Sequence, residues 1–211
     1  MASLQLPRHP GLFSTTRFRA IASHQASATT LDWIILLTAG VIAACASVFL
    51  DLGLKRIPGH AILRVVFPMA LGLALVPRRG AGCAMGGSAL LTGVFLHLAG
   101  FKGDGLGLGA LTSLTATGPL LDLTLRRVNG GGWQVLAFAL TGLVSNLMAL
   151  AVKGGTKAIG WEAVGRRPLW EWLAQASITY VVCGLLAGLI SGLVLFYSRD
   201  PDQTPDTETA P

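Results

Sequence analysis

The sequence predicts an all-α integral membrane protein, a compact bundle of about six transmembrane helices, and three observations carry that prediction. The chain is 52% hydrophobic and only 12% charged, with a mean hydropathy of +0.63, whereas a soluble domain carries roughly 25% charged residues to keep its surface wet. Its apolar residues fall into long runs at 31–50, 57–76, 81–99, 106–125, 133–152 and 170–197. The basic residues gather between these runs, often as pairs: Lys55-Arg56, Arg78-Arg79, Arg126-Arg127 and Arg166-Arg167. Such pairs anchor helix ends among lipid head groups.

Each run is 19 to 28 residues long, and a helix rising ~1.5 Å per residue crosses a hydrocarbon core of ~30 Å in about 20 residues. A separate segment in lipid must satisfy its own backbone, so each run is read as a helix. Residues 1–30 hold Arg8, Arg17 and Arg19 among Ser, Thr and Ala, with no acidic residue before Asp32. That composition fits an organellar transit peptide or a disordered cytoplasmic tail; the tail is the reading adopted. The first run sets Ala39, Ala43 and Ser47 at four-residue spacing, a small-residue face that either packs within the chain or docks another subunit. The second opens Pro58-Gly59-His60 and contains Arg64 and Pro68, and Arg64 lies near enough to its end to snorkel. The third ends at His97. The fourth starts from the glycine-rich stretch GDGLGLGA, and with the second it is the run least secure as a full span. On it Thr112, Thr115, Pro119 and Asp122 share a helical face, with Asp122 one turn from Arg126 as a local ion pair. The fifth carries Gln134, Thr141 and Ser145 on one face with Asn146 beside them. The sixth carries Gln175, Thr179 and Cys183 beside Tyr180, and a Gly184-xxx-Gly188-xxx-Gly192 stripe suited to close helix packing. Residues 198–211 form a polar, acidic tail read as disordered.

Intramembrane polar groups are expensive and each needs a reason. If helix direction alternates and both termini share a side, His60, His97, Thr112, Asn146, Gln175 and Thr179 all fall in the half of the bilayer away from the termini. They are the candidate contacts of a small-ligand site opening to one face. Positive charge divides almost evenly between the two sides, so it does not set the orientation.

Several chemistries find no support. A formal net charge of +6 spread over helix ends is no nucleic-acid face, because aromatic residues do not interleave with it. Cys45, Cys83 and Cys183 lie inside apolar runs without CxxC spacing and read as packing residues. No metal site, cofactor motif or phosphate loop is present, so the chain cannot consume ATP alone. An intramembrane serine protease is a remote rival: Ser88 lacks the GxSG setting, and His97 sits nine positions along the same helix on its opposite side. No catalytic residue is assigned.

The Ala39-xxx-Ala43 face, the opening PGHAILRVVFP, the run RRGAGCAMGGSALLTG and the helix ending TGPLLDLTLRR resemble the substrate-binding S components of energy-coupling-factor transporters. The resemblance covers about residues 31–197 and rests on pattern rather than a diagnostic signature. It implies a subunit that binds a vitamin or a transition-metal ion, and that docks a transmembrane coupling protein and a pair of ATPases through Ala39 and Ala43. It further implies a pocket built from the first connecting loop and helices four to six, in a bacterial inner membrane with both termini cytoplasmic. Members that take nickel or cobalt begin with a histidine just behind the initiator; here His9 and His24 lie in a polar leader, so a vitamin-like solute is expected over a metal. The competing expectation is a membrane scaffold that binds no solute.

Overall fold

The computed structural model describes residues 29–50, 57–101, 106–125, 132–161 and 168–196. The leader, the C-terminal tail, and the pairs Lys55-Arg56, Arg126-Arg127 and Arg166-Arg167 lie outside the described residues. Among the described residues all regular structure is helical: α1 (Thr30–Phe49), α2 (Ala61–Leu75), α3 (Ala81–Leu98), α4 (Leu108–Leu125), α5 (Gly132–Ala158) and α6 (Leu169–Phe196).

Four of these, α1, α3, α5 and α6, are long and apolar enough to cross a membrane, which makes the chain a multi-pass membrane protein. The helices that fall short are α2 and α4. Ile57–His60 form a turn rather than the first turn of a helix, so α2 keeps 15 residues, about 22 Å at 1.5 Å per residue. Pro68 sits inside α2 and Pro119 inside α4, and neither ends its helix. Conversely, α5 runs on to Ala158, past the expected end at 152.

The local chemistry of the ends explains these limits. At the start of α1, Asp32 N donates to Thr29 Oγ1 at 3.2 Å and Thr29 N donates to Asp32 Oδ2 at 3.0 Å, a capping box. At the start of α3, Gly80 takes φ 82°, and the next amides are capped from another helix. Gly82 N and Cys83 N donate to Asp122 Oδ1 and Oδ2 at 3.1 and 2.8 Å. The expected local partner of Asp122, Arg126, lies outside the described residues. The carboxylate is buried at the α3 N-terminus, where orphan amides and the helix dipole both favour a negative charge.

Helices consecutive in the chain run antiparallel. Asp32 meets Arg78 at one end of the α1–α2 pair, Nη1 to Oδ2 at 3.4 Å, and Ser47 meets Arg64 at the other. Thr124 with Thr141 and Thr117 with Ser145 tie α4 to α5 at 2.7 Å each. The α6 glycine stripe packs on α5. A Cβ on Gly184 would stand 2.7 Å from Gly142 O, and one on Gly188 would collide with Phe138 O. One end of the bundle thus gathers the starts of α1, α3 and α5, and the opposite end gathers the starts of α2, α4 and α6.

The main core joins Leu36, Met69, Leu73, Met85, Leu114, Leu121, Phe138 and Phe196. The outside is equally apolar: Leu91, Phe95, Leu98 and Ile178 are 68–79% exposed. An apolar exterior of this extent suits lipid and not water. Trp33 and Trp133 project at one end and Trp161 and Trp170 at the other, where amphipathic rings settle at the head-group level.

Ala39, Ala43 and Ser47 are buried, and Ala39 packs toward Gly72 of α2. This small-residue face is used inside the chain, so the expected docking surface is not free there. Arg64 is corrected as well. It does not snorkel but is buried, with Nη1 donating to Ser47 O at 3.0 Å. A carbonyl in the last turn of α1 lacks a helical partner and carries the negative end of the dipole, which accounts for a cation there. Of the cysteines only Cys183 is buried; Cys45 is half-buried and Cys83 exposed, so the packing reading holds for one of the three.

Candidate functional site

A half-enclosed cavity of about 370 Å³ opens at the end of the bundle that holds the starts of α2, α4 and α6. Its walls come from four places: the turn Ile57–Ala61 ahead of α2, the first turns of α4, the last part of α5, and the first half of α6. Glycine explains why the turn can lie there. Gly59 has φ 83°, and a Cβ on it would meet the Tyr180 ring at 2.9 Å, so only glycine lets the turn press onto α6.

Asn146 holds this corner together. Its Nδ2 donates to Gly59 O at 3.1 Å and to Tyr180 O at 2.7 Å, tying the turn to both α5 and α6. Both amide hydrogens are then spent, so Asn146 shapes the wall, and only its carbonyl oxygen could meet a ligand. His60 lies beside it, 8% exposed. Its Nδ1 stands 2.7 Å from Ile57 O. A carbonyl only accepts, so the Nδ1 that faces it carries a proton. The ring's Nε2 is buried and has no hydrogen-bond partner among the described residues. Ser113, Lys153, Trp172 and Tyr180 complete the polar and aromatic lining. Lys157 of α5 stacks its ammonium 5.1 Å from the Trp172 ring centroid, which steadies that wall.

Of the six residues expected to contact a ligand, the structure brings His60 and Asn146 together in this cavity. Thr112 instead faces an apolar groove on the outside of α4, shared with Thr115 and Pro119, and its hydroxyl returns to Leu108 O at 2.8 Å. His97 and Gln175 are exposed, and Thr179 is half-buried with its hydroxyl bonded to Ala176 O at 2.8 Å. None of these four lines the cavity. For Thr112, Gln175 and Thr179 the cause is rotational, while His97 belongs to α3, which supplies no wall. All lie at the correct depth, but a helix turns ~100° per residue, and Ser113 and Tyr180, one position along from Thr112 and Thr179, face inward instead.

Lys153, Trp172, Tyr180 and Ser113 carry no expectation as contacts. Lys153 and Trp172 resemble interfacial anchors, the same residue types at the same depth as a ring facing head groups. The available signal is the length of α5, since Lys153 falls within the helix rather than in a loop.

Other chemistry is weakly served. Among the described residues no group of three His, Cys, Asp or Glu side chains could hold a metal ion. Ser88 Oγ donates to Leu37 O at 3.0 Å and Met85 O at 3.1 Å, so it is committed to bracing α1 on α3. A scan of protein-family models, a search of curated proteins and a search of solved structures each gave no match to this chain.

Proposed function

We propose that the chain spans the membrane six times and serves as the solute-binding subunit of a multi-component, ATP-driven importer. Its partners would be a transmembrane coupling protein and a pair of ATPases, in a bacterial inner membrane with both termini cytoplasmic. The observation that carries this reading is the cavity built around His60. Its volume of about 370 Å³ lies in the range of small-molecule sites, roughly 300–1,000 Å³. A buried histidine nitrogen without a partner is a cost that a ligand repairs. The chain has no phosphate loop, so energy for uptake must come from partners.

A scaffold without a solute is the second reading, and Asn146 favours it. Both its amide hydrogens join one helix or turn to another, as in ordinary interhelical packing.

Purification in mild detergent from the native host, with mass spectrometry of co-eluting proteins and extracted small molecules, separates the two. The importer reading expects two ATPases, a second membrane protein and a released solute. A protein that elutes alone and empty at good yield overturns it in favour of the scaffold.

A further inference from the structure

We propose that this cavity selects a small anion, a carboxylate or phosphate compound; the inference rests on the solute-binding reading above. The charge argument starts at Lys153. Its side chain is half-buried on the α5 wall, and no acidic residue lines the cavity among the described residues. The missing side chain of Gly109 lets the start of α4 close against it. A Cβ there would stand 3.1 Å from Ala149 O and 3.4 Å from Lys153 Cβ. The α4 ladder begins with Leu111 N donating to Gly107 O at 3.0 Å. The amides before it belong to the first turn, which borders the cavity, and such amides have no acceptor within their own helix. A lysine beside a helix N-terminus joins a full positive charge to the positive end of the macrodipole, which favours an anion.

His60 supplies a separate observation. It is buried in the same wall, and its Nε2 has no partner among the described residues. With Nδ1 facing Ile57 O, Nε2 is the ring nitrogen of this wall left for an occupant. The occupant must therefore bring an acid group for Lys153 and the start of α4. A simple cation would meet the Lys153 charge with no carboxylate in the described wall to offset it. Trp172 and Tyr180 offer ring faces for the carbon skeleton.

The test uses the full chain in nanodiscs of zwitterionic lipid at constant ionic strength. Lactate and inorganic phosphate are the anionic probes, and 1,2-propanediol is the neutral counterpart of lactate. Binding is read from thermal unfolding, in parallel with mass spectrometry of solute released from freshly purified protein. The expected result is an anionic released solute, or a saturable shift with lactate or phosphate but not with the diol. Lys153→Gln should weaken binding at least tenfold, and Lys153→Arg should restore it; the effective probe tells carboxylate from phosphate. A neutral or cationic released solute overturns the anion inference while solute binding stands, and so does an anion held equally by Lys153→Gln. An empty protein that responds to no probe overturns both.

Discussion

Replacing Asp122 with alanine removes the acceptor for two amides at once, Gly82 N at 3.1 Å and Cys83 N at 2.8 Å. Hydrogen bonds to a charged acceptor are worth about 1.5–3 kcal/mol each, and loss of an N-cap alone costs ~0.5–2 kcal/mol. Water at the bundle end recovers part of this, so Asp122→Ala is expected to cost about 2–4 kcal/mol, the sum discounted for that recovery. Asp122→Asn keeps one acceptor but turns an NH2 toward the second amide, and about half the loss is expected. Unfolding by SDS titration, followed by far-UV circular dichroism, measures the global term. Cys83 measures the local one: it is exposed and sits in the first turn of α3, so fraying of that turn should speed its alkylation while buried Cys183 stays slow. A loss below about 0.5 kcal/mol, with Cys83 labelling unchanged, would refute the capping role.

Gly188→Ala should cost about 1–3 kcal/mol, because its new methyl meets Phe138 O, whereas Gly155→Ala, with nothing near its Cβ, should be neutral or stabilising in the same titration. Ser145→Ala breaks the 2.7 Å bond to Thr117 and should cost ~0.6 kcal/mol, typical of hydroxyl pairs between membrane helices; a loss above about 2 kcal/mol in an unfolding titration would show that α4 and α5 depend on it far more than such pairs allow. Arg64→Met trades a buried cation, whose Nε lacks a partner, for an apolar side chain of similar reach. Stability should change by less than about 1 kcal/mol or rise, and a loss above about 3 kcal/mol would mean that its bond to Ser47 O outweighs the cost of burying it.

How much of this was legible in the sequence depends on which physical signal each feature leaves. Helix number and order follow from apolar runs bounded by glycine and charge, a signal that needs no partner to be read. Depth in the bundle was legible for the same reason: His60 and Asn146 lie at the same end because both were placed by counting residues from helix ends. Rotation was not. The faces of α4 and α6 are almost uniformly apolar, so nothing in the pattern separates Thr112 from Ser113 or Thr179 from Tyr180. In lipid, the outward face of a helix is as hydrophobic as the inward one. Asp122 accepts from the amides of Gly82 and Cys83, about forty residues away. Backbone donors leave no mark in a string of side chains. Arg64 likewise finds its partner in a carbonyl of α1 rather than at the interface.

The cavity lies at one end of a bundle whose other end is filled. Past Tyr180 and Asn146, toward the starts of α1, α3 and α5, come Ile62, Val66, Cys183 and Ala187. Then come Met69, Leu73, Phe138 and Phe196, with the two phenyl rings stacked 4.9 Å apart. A molecule seated against His60 rests in a cup and not in a pipe. To pass straight through, it would have to part side chains packed at the density of an organic crystal, and each displaced phenylalanine would forfeit contacts worth about 3–5 kcal/mol. On the importer reading proposed above, such a cup would change sides only by being tipped whole.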